Sequence, residues 1–142
     1  MNWKQAQVKA VVERMMGEWK RGMLSYWVLG LLLLRPMYGL EIKKEIESST
    51  QGRMELRAST IYQLLRRLEK KKLLESWQER TTQGPPRTYY KPTAAGREVV
   101  RRYLTDVLSP ESPISAAISD LTARLFQQLA MTDEGQASKL PK

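Results

Sequence analysis

The chain has 142 residues, with 24 Lys or Arg against 15 Asp or Glu, which gives a formal net charge of +9 at pH 7. It contains no Cys and no His, which excludes disulfides, thiolate metal sites and the usual general base of Ser and Cys nucleophile systems. This length fits one domain with helical extensions, and the sequence predicts no metal, no cofactor and no enzymatic activity.

The first 21 residues predict an amphipathic helix, because apolar side chains recur in them at helical spacing. This apolar stripe consists of Val8, Val11, Val12, Met15 and Trp19. Gly22 is predicted to end the helix. An extension placed before a complete domain needs a cover for its apolar face, and either its own domain or a second subunit can provide that cover.

Residues 23–34 are apolar on nearly all sides and predict a central helix that stops at Pro36. The run is shorter than the roughly 20 residues of a membrane-spanning helix, so we expect a soluble cytoplasmic protein. The next helix is predicted from Gly39 to about Ser48, and the mixed charges along it predict a solvated face. The residues expected to face inward are Leu40, Ile42 and Ile46.

A strongly basic stretch follows: residues 57–103 hold 12 Lys or Arg and 4 Asp or Glu, so +8 of the net +9 lies in this segment. A helix is predicted from Thr60 to Lys72, with Ser59 as its N-cap. Its inward face consists of Ile61, Leu64, Leu65 and Leu68. At about 100° per residue, the opposite face carries Ser59, Gln63, Arg66 and Lys70, flanked by Tyr62 and Arg67.

Two strands are predicted at Leu73–Arg80 and Arg87–Lys91, joined by a turn over Thr81–Pro86. Another helix is predicted over Ala94–Leu108, with Thr93 as its N-cap. Three helices followed by a β-hairpin are the layout of a winged helix. In that fold, one helix enters the major groove and the hairpin turn reaches phosphates or the neighbouring minor groove.

The C-terminal part predicts a linker at residues 108–113 and a last amphipathic helix over residues 114–130. Its apolar stripe lasts barely two heptads, so it should pack on another helix of the same chain or of a partner. The stripe consists of Ile114, Ile118, Leu121, Leu125 and Leu129. Residues 131–142 have little apolar content and predict a disordered tail.

The charge and the winged-helix layout together predict binding to duplex DNA. Gln63 can pair with adenine and Arg66 with guanine. The residues expected to contact DNA are Arg57, Ser59, Thr60, Tyr62, Gln63, Arg66, Arg67, Lys70, Arg80, Thr82, Gln83, Arg87 and Lys91. Two alternatives stay open: Tyr62 can instead pack between helix and hairpin, and residues 70–72 can instead balance the helix dipole.

Three segments, in order and spacing, resemble the PadR-type family of transcriptional regulators. Residues 37–42 (MYGLEI) resemble the start of the second helix, and residues 59–69 (STIYQLLRRLE) resemble the recognition helix. Residues 84–96 (GPPRTYYKPTAAG) resemble the wing and the start of the next helix. The chain departs from the family pattern at Ala58 or Ser59 and at Lys72, where the family often has Gly, and at Pro92, where it has Leu.

The resemblance implies a homodimeric repressor that binds an inverted-repeat operator. It assigns the dimer interface to Val8, Val11, Val12, Met15, Trp19, Ile114, Ile118, Leu121 and Leu125. Some relatives bind flat aromatic compounds between subunits, so an effector site lined by Trp3, Trp19 and Trp27 is one alternative. A basic adaptor for RNA or acidic proteins is another. The layout of a long N-terminal helix before a winged core is also similar to that of a cyanobacterial regulator of circadian period.

Overall fold

The computed structural model describes the fold of residues 3–137 and the side chains of residues 4–132. In chain order the elements are α1 (Trp3–Leu34), β1 (Met37–Tyr38), α2 (Gly39–Ser49), α3 (Ala58–Lys70), β2 (Leu74–Glu79), β3 (Arg87–Pro92), α4 (Ala94–Tyr103), a π-helical turn (Leu104–Leu108) and α5 (Pro113–Ala137). The chain divides after residue 100 into two compact units. The predicted class, mostly helical with a small β-hairpin, is confirmed.

α1 is one continuous helix of 32 residues, so the predicted end at Gly22 is wrong. Glycine weakens a helix by about 1 kcal/mol relative to alanine, but it does not stop one unless the backbone turns away. Gly22 keeps helical geometry, and the helix ends at Leu34, because Pro36 disfavours helical backbone at the residue before it. The second half of α1 supplies four buried core residues, which are Leu24, Val28, Leu29 and Leu32.

The sheet has three antiparallel strands in the order β1-β3-β2. The two-residue strand β1 was not predicted, because two residues carry no detectable period. In the register of the sheet, Tyr89 of β3 lies between Tyr38 of β1 and Trp77 of β2. Three aromatic side chains are thereby brought side by side on one face, while Met37 and Tyr90 on the other face are buried.

α2 packs through Ile42 and Ile46, which are fully buried as predicted. Leu40 was also predicted to face inward, but it is 43% exposed, and this prediction is wrong. The reason is geometric: two helical steps of about 100° place Leu40 on the opposite side of α2 from Ile42.

α3 begins at Ala58, two residues earlier than predicted, and the predicted N-cap at Ser59 is therefore wrong. Arg57 holds the N-cap position with extended backbone (φ −76°, ψ 140°), and its side chain makes no capping hydrogen bond. The Thr60 amide donates to the Arg57 carbonyl oxygen at 3.0 Å. Ser59 consequently lies in the first turn of the helix, on its exposed side.

α3 ends in a Schellman motif with Lys72 at its turning position. The Leu73 amide donates to the Leu68 carbonyl at 2.9 Å, and the Lys72 amide donates to the Glu69 carbonyl at 2.8 Å. Lys72 has a φ of +63°, the left-handed conformation that costs an L-residue about 1–2 kcal/mol. The family often has glycine at this position, and glycine adopts a positive φ without steric cost, whereas lysine adopts it under strain.

We expect Lys72→Gly to raise the free energy of unfolding by about 1 kcal/mol, because glycine takes this backbone without the steric cost. Urea unfolding followed by circular dichroism measures the change. Lys71→Gly is the matched control: Lys71 has a φ of −77°, so glycine should lower stability there by roughly 0.5 kcal/mol or more. Equal losses in both variants would mean that backbone strain at Lys72 is negligible.

Thr93 is the N-cap of α4, as predicted. Its Oγ1 accepts a hydrogen bond from the Gly96 amide at 3.2 Å and donates to the Lys72 carbonyl at 2.6 Å. Its own amide donates to the Leu73 carbonyl at 3.0 Å. These bonds draw the first turn of α4 against the segment that joins α3 to β2.

α4 was predicted to reach Leu108, but it ends at Tyr103 and the next five residues form the π-helical turn. The predicted linker at residues 108–113 is shorter in the structure, because α5 already begins at Pro113. Ser112 is the N-cap of α5: its buried hydroxyl accepts from the Ser115 amide at 3.0 Å and donates to a carbonyl of the π-helical turn at 2.8 Å.

α5 continues to Ala137, so the predicted disorder is wrong for residues 131–137. Low apolar content does not by itself end a helix, because Met, Glu, Gln and Ala all have high helix propensity. Residues 138–142, which belong to the same prediction, lie outside the described residues.

Candidate nucleic-acid interface

The outward face of α3 presents a row of polar and basic side chains, as the spacing predicts. Its inward face is only 0–4% exposed and consists of Ile61, Leu64, Leu65 and Leu68. The exposed residues are Ser59, Thr60, Gln63, Arg66, Arg67 and Lys70. Because the apolar face is anchored in the core, the rotation of α3 about its own axis is fixed, and so is the direction of the outward row.

Six of the predicted contact residues are exposed cations on α3, at its start or beside the wing, and are available to a polyanion. They are Arg57, Arg66, Arg67, Lys70, Arg80 and Arg87. Within the part of the chain whose side chains are described, none of these six forms an ion pair with a carboxylate. A phosphate group would therefore meet these charges without first displacing an internal partner.

Lys91 is not brought together with the other predicted contacts. It lies near the end of β3 that is remote from the wing turn. Its Nζ is 3.4 Å from Glu75 Oε1 and 5.7 Å from the centre of the Trp77 ring. A phosphate would have to compete with Glu75 for this ammonium group, so the geometry does not favour Lys91 as a contact.

Thr81 organises the turn of the wing, although it was not among the predicted site residues. Its Oγ1 lies 2.7 Å from the Gln83 carbonyl oxygen and 3.2 Å from those of Gly84 and Pro85. Gly84 has a φ of +89°, which favours glycine. Thr82 and Gln83 are exposed on this turn, as a contact with DNA requires.

A groove of about 430 Å³ separates the wing turn from α2 and α3. Its walls bring Tyr62 of α3 together with Gln83 and Arg87 of the wing, more than 20 positions later, and all three are predicted contact residues. Lys44 of α2 also lines the groove. The sequence assigned Lys44 to a solvated face, and only the packing of the wing beside α2 gives it a position near the site.

Tyr62 has a packing role as well as an exposed edge. A Cβ built on Gly39 would lie 2.5 Å from Tyr62 Cε1, so the ring rests directly on the Gly39 backbone. The side chain is nevertheless 37% exposed and lines the groove. One part of the ring therefore packs on the start of α2, and the alternative in which Tyr62 packs between helix and hairpin stays a prediction.

Two carboxylates of α2 hold neighbouring segments, so the predicted solvated face is only partly correct. Glu41 accepts a hydrogen bond from Arg35 at 3.0 Å, and Glu47 accepts from the Leu56 amide at 3.0 Å and from Lys43 Nζ at 2.9 Å. The Leu56 amide, followed by Lys43, holds the pKa of Glu47 below its usual value of 4.5. Glu47 thereby fixes the segment that leads directly into α3.

Acid should weaken the fold partly through Glu47. Because its pKa is lower in the folded chain, the carboxylate contributes stability above about pH 4.5, and this contribution is lost as the pH falls through the folded pKa. We expect Glu47→Gln to be less stable than wild type at pH 7, with a smaller further loss on acidification. Urea unfolding between pH 7 and pH 3 measures both, with Glu45→Gln as the exposed control; parallel curves for wild type and Glu47→Gln would contradict the assignment.

The residues predicted for a dimer interface are exposed on two helices. On α1 the stripe of Val8, Val11, Val12, Met15 and Trp19 is 49–62% exposed. On α5 the stripe of Ile114, Ile118, Leu121 and Leu125 is 47–60% exposed, and Leu129 continues it. Each stripe is a run of exposed large apolar side chains, which is typical of a surface that contacts another protein.

Other kinds of site find little support. Trp19 and Trp27 meet edge to face with ring centres 6.4 Å apart, and the side chain of Trp3 lies outside the described residues. The aromatic effector therefore stays a prediction, as does the circadian likeness.

Within the described residues there is no acidic cluster suited to a metal ion, and no helix there is long and apolar enough to cross a membrane.

Comparison with known proteins adds to this geometry. Residues 28–102 match the model of the transcriptional regulator PadR-like family. An uncharacterized protein of Lysinibacillus sphaericus is 31% identical over 98 residues, which are 69% of this chain and 86% of that protein. The crystal structure of a PadR family transcriptional regulator from Eggerthella lenta is 28% identical with a TM-score of 0.62, and the match covers 87% of this chain and 96% of that one.

The structure of Bacillus subtilis PadR in complex with operator DNA shares the fold at 20% identity and a TM-score of 0.54, with 82% of this chain and 75% of that chain covered. The predicted winged helix is thereby confirmed. The family consists of transcriptional regulators rather than enzymes, in agreement with the function class inferred from composition. The matched residues include the three motifs named above, and the chain belongs to the PadR-like family of transcriptional regulators.

Proposed function

We propose that the chain is a sequence-specific, double-stranded DNA-binding regulator that acts in the bacterial cytoplasm on nucleoid DNA. In this proposal it is a homodimeric repressor that reads an inverted-repeat operator. The observation that carries the proposal is the outward face of α3 beside a basic wing. This face presents polar side chains and cations that have no carboxylate partner among the residues whose side chains the structure describes. Family membership and the DNA-bound Bacillus subtilis PadR, which has the same fold, support it.

In the proposed complex α3 enters the major groove, which is about 12 Å wide and admits one helix. Gln63 and Arg66 face base edges, since amide and guanidinium groups form bidentate pairs with adenine and guanine. Arg57, Arg67 and Lys70 surround this row and contact phosphates. The central position of Gln63 and Arg66 on the exposed face supports this division of roles.

The wing supplies the second contact. Arg80 and Arg87 flank the turn at its two ends, and Thr82 and Gln83 are exposed within it. The turn is short and held by the Thr81 hydroxyl, so it can approach the backbone beside the major groove as one unit. We assign these residues to phosphates or to the adjacent minor groove.

The proposed dimer places two copies of α3 about one turn of DNA apart, roughly 34 Å, to match the half-sites of an inverted repeat. The exposed apolar stripes of α1 and α5 supply the contact between subunits. Both stripes would lose water on association, which is the main driving force for such contacts. The charges needed for DNA lie on α3 and the wing, outside both stripes.

Binding to defined duplexes tests the proposal. Fragments of the source genome selected for binding should share an inverted repeat, and affinity for it should exceed that for random duplex. The logarithm of the binding constant should fall with log salt concentration by about 0.9 per phosphate neutralised. Equal affinity for all duplex sequences at physiological salt would overturn specific recognition.

Arg66→Ala should weaken operator binding by about 1–3 kcal/mol and relax the preference at one base position. The guanidinium carries this effect through its pairing with a base edge, so affinity for random duplex should change little. Fluorescence anisotropy on operator, on single-base variants and on random DNA measures both. Arg97→Ala, an exposed arginine of α4, is the control, and equal weakening on specific and random DNA would make Arg66 a phosphate contact.

A further inference from the structure

Five side chains form a continuous stack across the outer face of the sheet. Tyr38 and Tyr89 meet edge to face with ring centres 5.5 Å apart, and Tyr89 stacks on Trp77 at 6.0 Å. A cation lies at each end: the guanidinium carbon of Arg87 is 4.4 Å from the centre of the Tyr38 ring, and Lys91 lies over Trp77. The stack links all three strands on the face that the core does not use.

Tyr38 is held in place by contacts of its backbone and of its neighbour Gly39 with β3, α2 and α3. It pairs with Tyr89 in the sheet, and its amide donates to Glu41 Oε1 at 3.4 Å at the start of α2. The next residue, Gly39, lies under the Tyr62 ring of α3. The backbone that carries Tyr38 is therefore held by α2 and α3, while its ring contacts Tyr89 and Arg87 of β3.

Arg87 belongs to the wing, where β3 begins, and its side chain is exposed. Its partner across the strands is Glu79, but Glu79 Oε1 accepts a hydrogen bond from Trp77 Nε1 at 3.0 Å. Among the described residues Arg87 makes no ion pair, and its guanidinium packs on the Tyr38 ring. The same two residues line the groove between the wing and α2.

We propose that Tyr38 is a positioning residue for Arg87: its ring holds the guanidinium at the groove and so couples the wing contact to the recognition helix. An exposed arginine loses rotamer freedom when it binds a phosphate, and a side chain that is already oriented loses less. Tyr38 acts through Arg87 and needs no contact with DNA itself. The inference rests on the proposed function in one respect, the contact of Arg87 with DNA.

A double-mutant cycle on operator DNA tests the coupling. Tyr38→Leu should weaken binding by roughly two- to five-fold, the range expected for an exposed cation–π contact. Tyr38→Phe keeps the ring and should restore wild-type affinity. Arg87→Ala should weaken binding, and adding Tyr38→Leu to it should cause no further loss. Additive losses, or equal effects of Leu and Phe at position 38, would overturn the inference.

A measurement on the free protein separates this inference from the proposed function. The ring current of Tyr38 should shift the side-chain protons of Arg87 upfield of those of Arg80 in wild type and in Tyr38→Phe, and the shift should vanish in Tyr38→Leu. If the wild-type shift is absent, the inference is wrong whatever the protein binds. If the shift is present but Arg87→Ala leaves DNA affinity unchanged, the proposed wing contact fails, and with it the role of Tyr38 in binding.

Discussion

Gly96→Ala is expected to lower the free energy of unfolding by about 3 kcal/mol, the upper range for inserting a methyl group into closed packing. A Cβ at this position would stand 2.1 Å from the carbonyl oxygen of Leu73. The obstacle is backbone, so no side-chain rotation can relieve it. α4 would have to move away from the segment between α3 and β2, and the hydrogen bonds of Thr93 to Lys72 and Leu73 would stretch.

Gly22→Ala is the matched control, because it is the same substitution within a helix, and apart from the backbone of its own helix and its chain neighbours the new Cβ meets no described atom within 4 Å. It should raise stability by about 0.5–1 kcal/mol through helix propensity. The two variants are thus expected to change stability in opposite directions in urea unfolding at one pH. A Gly96→Ala chain as stable as wild type would mean that α4 does not approach Leu73 this closely.

Gly96 is the last residue of the motif at residues 84–96. From the sequence alone, this motif indicates the wing and the start of the next helix, but it gives no reason why its last residue is glycine. The physical requirement, a helix turn pressed against a carbonyl from residues more than 20 positions earlier, exists only in the folded chain. The same holds for Lys72. Its left-handed backbone follows from the turn between α3 and β2, which exists only in the folded chain.

Much of the fold could be predicted because hydrophobic period is a local signal. The amphipathic pattern of α3 correctly identified both its buried and its exposed face, and the two prolines correctly marked the wing turn. Errors arose where tertiary context decides. Gly22 remains helical within a long continuous α1, and the two residues of β1 form a strand only because β3 lies beside them.

In the candidate site, too, the residues set by a local sequence pattern could be predicted, and those set by tertiary contacts could not. Gln63 and Arg66 could be proposed from spacing along a single helix. Tyr38, Thr81 and Lys44 could not, because their relation to the site depends on strand pairing, on the wing turn and on the groove between the wing and α2. Lys91 illustrates the opposite case: its charge suggested a phosphate contact, whereas the folded chain pairs it with Glu75 and places its ammonium group near the Trp77 ring, so its role in DNA binding stays a prediction.

Leu121→Asp should convert the proposed dimer largely into monomer. Leu121 lies near the middle of the α5 stripe and is 49% exposed in the single chain, so a second subunit can cover it. A carboxylate there would be desolvated without a partner, which costs several kcal/mol; a loss of about 3 kcal/mol corresponds to roughly a 150-fold weaker dimer. Analytical ultracentrifugation across a range of concentrations measures the shift.

The same variant should lose operator affinity far more than affinity for random duplex. Two linked recognition helices bind an inverted repeat with an avidity gain on the order of 10²–10⁴, and a monomer forfeits this gain while it keeps its cations. Ala123→Asp is the matched control, because residue 123 lies about 160° away from Leu121 around α5 and should leave assembly intact. If Leu121→Asp sediments as a dimer, the α5 stripe is not the contact, and the exposed stripe on α1 remains as the surface through which two copies would associate.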